Sequence, residues 1–135
     1  MRAIPLIDTH IWLWWIEGSP DLRRADRDAL DSFTASERPR LSVISLWEVS
    51  VLVSRGRYQP GRPPEEWLPL AAGPATLALA PITPTVAREL FLIPSWFHRD
   101  PADQIIVATA RAMQLPLMTY DERIRKSDLV TLWKA

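Results

Sequence analysis

Two kinds of apolar pattern alternate along the chain. Short apolar runs that end abruptly at a polar residue or a turn signal are typical of buried strands. They predict strands at residues 4–7, 41–44, 77–80, 117–119 and 130–132. Segments in which apolar residues return every three or four positions among charged neighbours predict helices. These helices are predicted at residues 11–15, 21–33, 45–54, 64–70, 85–93 and 101–114.

Local signals mark several of the helix ends. Ser19 or Asp21 is a candidate N-cap for the helix at residues 21–33. Pro101 suits the first turn of the helix that it begins, because its missing N–H has no partner there in any case. Gly56 is typical of a residue that ends a helix.

The order of the elements predicts the architecture. Strands that alternate with helices need crossover connections, which favours an α/β fold with a central parallel sheet and helices on both faces. We expect a single domain over residues 1–135, because this is an ordinary domain length. In such sheets ligands bind at the carboxyl ends of the strands. Candidate chemistry is therefore expected where the strands end.

Composition narrows the classes of function. Hydrophobic residues make up 47% of the chain and charged residues 24%, as in globular proteins with a substantial core. Lys plus Arg number 16 and Asp plus Glu number 16, which excludes a polybasic chain that coats nucleic acid by bulk attraction. The lack of cysteine excludes disulfides and thiolate metal sites. No tract is long and apolar enough for a signal peptide or a membrane span, so we expect a cytoplasmic protein.

Four acidic residues stand at junctions between the predicted elements. Asp8 and Asp121 follow strands, whereas Glu48 and Asp103 fall in the first turns of helices. Because the carboxyl ends of parallel strands meet at one edge of the sheet, the predicted fold gathers these residues into one acidic pocket.

Helix capping is the alternative explanation for these acids. Asp8 and Asp121 can cap the helices that they precede, and residues 45–48 have the pattern of a capping box. However, Glu48 and Asp103 share their helical faces with aliphatic residues three and four positions further on. An acid on such an inward stripe is costly without a partner, so capping alone does not account for them.

A divalent cation is the partner that the acidic residues favour. No lysine or arginine is placed to neutralise all four, and sites made of carboxylate and water oxygens suit Mg²⁺ or Mn²⁺. His10 and His98 are too few for a structural zinc site in a chain without cysteine. A bound hard cation can polarise a phosphoryl oxygen and acidify a water molecule, which favours phosphodiester hydrolysis. No glycine-rich phosphate loop or nucleophile elbow offers a competing reaction.

Four segments together resemble the PIN-domain ribonucleases, in particular the VapC-type toxins of bacterial toxin–antitoxin pairs. They follow the family's order and span most of the chain, and it is their combination that is specific. The segments are Ile7-Asp8-Thr9-His10, Ser45-Leu46-Trp47-Glu48-Val49, His98-Arg99-Asp100-Pro101-Ala102-Asp103 and Thr119-Tyr120-Asp121.

The resemblance implies a PIN-like α/β/α sandwich and an endoribonuclease that depends on Mg²⁺ or Mn²⁺. It also implies a homodimer that cuts RNA and is inhibited by a VapB-type antitoxin. The positions that match the family's acidic quartet are Asp8, Glu48, Asp103 and Asp121. The first three would hold the metal ion, and Asp121 would complete the site. Asp100 is a secondary candidate, because the proline after it makes it a natural N-cap.

Two other functions stay open at this point. The domain can keep the fold yet bind RNA or a protein without cutting. A small phosphatase or phosphotransferase with Asp8 as nucleophile is the other, but such enzymes commonly need a second aspartate two residues on, where this chain has His10.

Arginine and tryptophan suggest where partners bind. Arginines cluster at residues 23–27, 38–40 and 55–57, and they favour either contacts to RNA phosphates or a solvated helix face. Most of the seven tryptophans are expected in the core. Their surplus on the first helices favours a hydrophobic groove for an antitoxin helix.

Overall fold

The centre of the fold is a parallel sheet of four strands, which confirms the predicted α/β class. The computed structural model describes residues 3–134. The strands are β1 (Leu6–Ile7), β2 (Arg40–Ser42), β3 (Ala78–Ala80) and β4 (Leu117–Met118), in the spatial order β3-β2-β1-β4. The helices are α1 (Thr9–Glu17), α2 (Arg24–Asp31), α3 (Ile44–Ser54), α4 (Pro64–Ala71), α5 (Pro84–Leu92), α6 (Pro101–Met113) and α7 (Glu122–Arg125).

The register of the sheet brings the ends of β1 and β4 side by side. Leu6 pairs with Arg40 of β2 and with Leu117 of β4, and both pairings are parallel. Asp8 and Thr119 therefore leave the same edge of the sheet immediately after their strands. This edge is where a parallel sheet presents its ligands.

Helices cover both faces of the sheet, as predicted. Successive strand residues point to opposite faces, and Ile7 joins a buried cluster with side chains of α1, α2 and α4. Its neighbour Leu6 joins a second buried cluster with side chains of α6 and α7. The indole N–H of the fully buried Trp12 donates to the carbonyl of Ala71 at 2.8 Å, which ties α1 to α4.

The structure corrects two predicted elements. The strand predicted at residues 130–132 is a single parallel bridge between Leu132 and Leu117, so the sheet gains no fifth strand there. The helix predicted at residues 21–33 begins only at Arg24, and no side chain caps it. The hydroxyl of Ser19 instead accepts from the backbone N–H of Asp21 at 3.1 Å, which closes a turn before the helix.

The expectation that most tryptophans belong to the core is confirmed. Trp12 and Trp67 are buried, and three more are half-buried and pack against the first cluster, namely Trp14, Trp15 and Trp133. Trp47 is 53% and Trp96 is 65% exposed. A domain of this size has limited room for such large side chains, and their amphipathic rings tolerate the edges of a core.

No helix within residues 3–134 is long and apolar enough to cross a membrane.

Candidate active site

A cavity of about 320 Å³ opens at the carboxyl edge of the sheet. Its lining includes every acid that the sequence singled out, in agreement with the prediction of one acidic pocket. These acids are Asp8, Glu48, Asp100, Asp103 and Asp121.

Asp8 and Asp121 enter the cavity from the ends of neighbouring strands. Asp8 is the N-cap of α1, and its carboxylate accepts from the backbone N–H of His10 at 2.9 Å. Asp121 is the N-cap of α7 and accepts from the backbone N–H of Arg123 at 2.9 Å. Both residues therefore cap helices and line the cavity at the same time.

The hydroxyl of Thr119 joins the two strand ends. It donates to the Asp8 carboxylate and accepts from the backbone N–H of Asp121 at 3.1 Å. Thr119 is only 1% exposed, so this bridge lies out of reach of solvent. The side chain therefore orients a carboxylate and satisfies the backbone of the turn at the same time.

Glu48 reaches the cavity from the body of α3, and the predicted capping box is wrong. The helix begins at Ile44, and no side chain caps it. Ser45 lies inside the helix, fully buried, and its hydroxyl is 2.7 Å from that of Thr9. The buried hydroxyl pair packs α3 against α1, and it sets Glu48 one turn further along the same helix.

Asp100 and Asp103 occupy the start of α6. Asp100 is the N-cap, as predicted, and accepts from the backbone N–H of Asp103 at 3.1 Å. Because α6 leads into β4 through a short connection, it runs against the strands and starts at their carboxyl edge. The Asp103 carboxylate lies 3.3 Å from Nε2 of His98. The sequence motif contains this histidine but predicted no role for it at the site.

Burial and mutual repulsion disfavour the charged forms of three of these acids. Burial raises the pKa of Asp8, although hydrogen bonds from Thr119 and His10 oppose it. Burial likewise raises the pKa of Glu48. For Asp103, burial and the nearby carboxylates, led by Asp100, raise the pKa to about 7. The cavity thus holds more negative charge than its protein surroundings neutralise.

Arg123 is the one cationic side chain among the described residues that line this cavity. Its Nη2 lies 3.2 Å from Asp121 and 3.7 Å from Asp103, although the side chain is 62% exposed. Burial alone would raise the pKa of Asp121, but the hydrogen bonds and charge of Arg123 lower it overall. No sequence signal marked this arginine as part of the site.

The donor chemistry of the cavity fits a hard divalent cation. The acids supply only carboxylate oxygens, which Mg²⁺ and Mn²⁺ prefer, and their raised pKa values show that charge is left uncompensated. Within residues 3–134, no three acids or histidines lie close enough together to hold one ion as the side chains are oriented. Asp8 is turned toward Thr119, and Asp121 toward Arg123. Ion binding therefore requires the contact between Asp121 and Arg123 to yield, whereas the Thr119 hydroxyl occupies one lone pair of the Asp8 carboxylate and leaves others free.

We expect Arg123→Ala to tighten Mg²⁺ binding about three- to tenfold. The guanidinium is a competing cation at the carboxylates of Asp103 and Asp121, and interactions at such distances are worth on the order of 1 kcal/mol at an exposed position. Isothermal titration calorimetry at low ionic strength measures the change. Lys126→Ala is the matched control, because Lys126 pairs with the exposed Glu122 instead. Weaker binding in Arg123→Ala would show that the arginine supports the ion rather than competing with it.

Comparisons with known proteins agree with this geometry. The family model described as PIN domain matches residues 6–129. The chain is 33% identical to Ribonuclease VapC22 of Mycobacterium tuberculosis over 132 residues, which is 95% of this chain and 97% of that protein.

Solved structures share the fold. VapBC from Salmonella typhimurium, crystallised bound to DNA, matches with a TM-score of 0.71 at 19% identity and covers 98% of both chains. VapBC2 from Rickettsia felis, bound to a DNA fragment from its promoter, matches with a TM-score of 0.69 at 17% identity. That match covers 96% of this chain and 97% of the other. At these identities the likeness concerns the fold alone.

Proposed function

Because this chain belongs to the PIN domain family and is a relative of a VapC ribonuclease, we propose that it is an endoribonuclease toxin that needs Mg²⁺ or Mn²⁺. Its reaction is hydrolysis of RNA phosphodiester bonds. The observation that carries the proposal is the cavity at the carboxyl edge of the sheet, where five acids meet a single guanidinium. Burial and the neighbouring carboxylates raise the pKa of Asp103, which is consistent with this excess of negative charge.

We assign the metal-binding role to the acidic quartet. Asp8, Glu48 and Asp103 would hold the cation, and Asp121 would complete the site. A divalent cation bound there supplies Lewis acidity toward a phosphoryl oxygen and toward an attacking water. Thr119 orients the Asp8 carboxylate through its hydroxyl, so it acts as a positioning residue.

The pKa of about 7 at Asp103 belongs to the metal-free cavity, where burial and the neighbouring carboxylates favour the protonated form. A bound cation would favour the charged form instead, so we expect ion binding to release a proton here at neutral pH. Asp100, whose carboxylate caps α6, is proposed to support Asp103 rather than to contact the cation.

Cleavage of purified RNA with and without Mg²⁺ tests this function. We expect structured RNAs to be cut at defined positions by the wild-type chain when Mg²⁺ is present. Chelation by EDTA is expected to abolish cutting, and added Mn²⁺ to restore it. Binding of RNA with no cutting under any of these conditions would identify a non-cleaving binding module instead.

We further propose that a VapB-type antitoxin inhibits this chain. Support comes from apolar surface that the fold leaves open: Leu70 on α4 is 56% exposed and borders a cavity lined by Ile16 and Trp67. Such a surface suits an amphipathic helix. Co-expression with a small neighbouring reading frame tests the pairing, because the partner should relieve growth arrest and co-purify with the chain.

A homodimer and a single domain over residues 1–135 remain part of the proposal. Phe91 is 90% exposed, and Leu92 and Trp96 are also largely exposed, which is more apolar surface than an isolated domain usually presents at one helix end. An RNA substrate implies that the protein acts in the cytoplasm.

A further inference from the structure

Three aromatic rings form one wall of the acidic cavity. His10, Trp14 and Tyr120 all line it, beside Asp8 and Asp121. The centroids of His10 and Trp14 are 5.8 Å apart, and those of Trp14 and Tyr120 are 5.7 Å apart, with the planes tilted in both pairs. Trp14 is therefore the middle ring of a continuous aromatic row. We call these three residues the aromatic wall.

The Tyr120 ring is held firmly at one end of the aromatic wall. Its hydroxyl donates to Asp26 and accepts from the backbone N–H of Arg23 at 3.0 Å. The guanidinium carbon of Arg23 lies 4.3 Å from the centroid of the ring. A ring fixed by these contacts loses little conformational freedom when a ligand binds, which favours a recognition role.

Filling the core accounts for only part of the aromatic wall. Trp14 and Tyr120 pack against the first buried cluster, yet both are half-buried and line the cavity, and His10 is exposed. The wall therefore presents apolar, polarisable surface to the open cavity. The only other large side chain facing that space from α1 is Ile11.

The charge of the cavity makes such a surface useful to an RNA-cutting enzyme. Five acids repel the phosphates of an incoming strand, and Arg123 is already paired with two of them. Attraction between opposite charges within the cavity therefore contributes little to holding the RNA strand there. Stacking of a base on an aromatic ring needs no opposite charge and is available to every base.

We propose that the aromatic wall is the stacking platform for a nucleobase of single-stranded RNA, next to the phosphate that is cut. Trp14 is the central contact, with His10 and Tyr120 extending the surface on either side. The proposal rests on the proposed ribonuclease function and adds the side chains that contact a base. Bases in a duplex are paired and stacked on each other, so this site selects unpaired segments such as loops.

A binding experiment that varies both the ring and the base tests the proposal. All variants carry Asp8→Asn, so that the RNA stays intact. The probes are a fluorescein-labelled oligoadenylate of about eight nucleotides and an abasic ribose-phosphate strand of equal length, which has the same charge and no bases. We expect the abasic strand to bind at least about tenfold more weakly than oligoadenylate. In Trp14→Leu this ratio should fall below about threefold.

Two further variants keep the result interpretable. Trp47→Leu makes the same change at a tryptophan that is 53% exposed and outside the cavity, and it should leave the ratio unaltered. His10→Ala removes an exposed ring yet keeps the backbone N–H that donates to the side chain at position 8, so the fold should persist and the ratio should fall about threefold.

Equal binding of the two strands by the parent protein would overturn the proposal, as would an unchanged ratio in both Trp14→Leu and His10→Ala. Either result, combined with Mg²⁺-dependent cutting by the wild type, would leave the ribonuclease function standing. Failure of the wild type to bind or cut any RNA would instead overturn both.

Discussion

Replacing Asp8 with asparagine should lower the rate of RNA cleavage by about a thousandfold or more. The change removes the negative charge of the carboxylate that sits deepest in the cavity, between β1 and β4. Loss of a proposed carboxylate ligand would weaken cation binding and remove several kcal/mol of stabilisation from the charge that develops on the phosphoryl oxygens. Cleavage of a labelled RNA under single-turnover conditions measures the effect.

The fold should survive this substitution. The side-chain oxygen of asparagine can still accept from the backbone N–H of His10, and asparagine is as good an N-cap as aspartate. The hydroxyl of Thr119 can accept from the new amide group instead of donating to the carboxylate. Because burial raises the pKa of Asp8, the exchange also removes a charge that the folded state disfavours. The melting temperature should therefore equal or exceed that of the wild type.

Two matched variants separate the site from its surroundings. Glu122→Gln neutralises an exposed acid that lies next to Asp121 in sequence but outside the cavity, and it should leave the rate unchanged. Asp100→Asn keeps an N-cap on α6 and should reduce the rate by no more than about tenfold. Wild-type activity in Asp8→Asn would show that the quartet is assigned incorrectly. A greater loss in Asp100→Asn than in Asp103→Asn would exchange the roles of those two residues.

Asp103→Asn should abolish cleavage and at the same time stabilise the protein at pH 8. The free energy of unfolding should rise by about 1 to 2 kcal/mol, which corresponds to a gain of several degrees in Tm. The reason is that burial and neighbouring acids raise the pKa of Asp103 from 3.8 to about 7. At pH 8 the folded protein must carry a charge there that the unfolded chain carries more easily.

The pH dependence has a definite sign. Below about pH 4 the carboxyl group is protonated in both states, so it carries no penalty. As the pH rises toward 7, the unfolded chain releases its proton first, and the folded state loses relative stability until its own group has ionised. The advantage of Asp103→Asn should therefore be larger at pH 8 than at pH 5. Differential scanning calorimetry at both values, without divalent cations, measures it.

Asp121→Asn is the matched control with the opposite sign. The pKa of Asp121 is lowered by Arg123, so its charge favours the folded state and its removal should lower Tm at pH 8. Added Mg²⁺ should raise the Tm of the wild type more than that of Asp103→Asn, because binding to the folded state stabilises it. A fall in Tm for Asp103→Asn that is equal at both pH values would mean that His98 and Arg123 stabilise this carboxylate.

The sequence predicted the sheet and the convergence of the acids because both depend on regular patterns. Short apolar runs marked β1 to β4, and parallel strands necessarily bring Asp8 and Asp121 to one edge. The helix α7 was missed because its four residues are too few to show a period. The strand predicted at residues 130–132 is reduced to one bridge, in which Leu117 bonds to the backbone of Thr131 and Trp133, while Val130 packs against the second cluster.

Side-chain contacts at the site were beyond what patterns predict. Arg123 reaches Asp103 from another helix, and nothing local to position 123 specifies that contact. The hydroxyl of Ser45 looked like a cap, but burial against Thr9 gave it a tertiary partner instead. Similarly, Trp12 and Trp14 are the same residue type on the same helix. Only the side of α1 on which each lies decides that Trp12 is buried and that Trp14 lines the cavity. Such differences depend on distant parts of the chain and not on spacing.

The pairing of β1 with β4 has a consequence for how this protein is made. Asp8 and Thr119 are 111 positions apart in the chain, yet one hydrogen bond joins them. During synthesis β4 emerges from the ribosome well after Asp8, Glu48 and Asp103, and only then can it dock beside β1. We therefore expect the proposed cutting centre to stay incomplete for most of translation, until β4 docks beside β1.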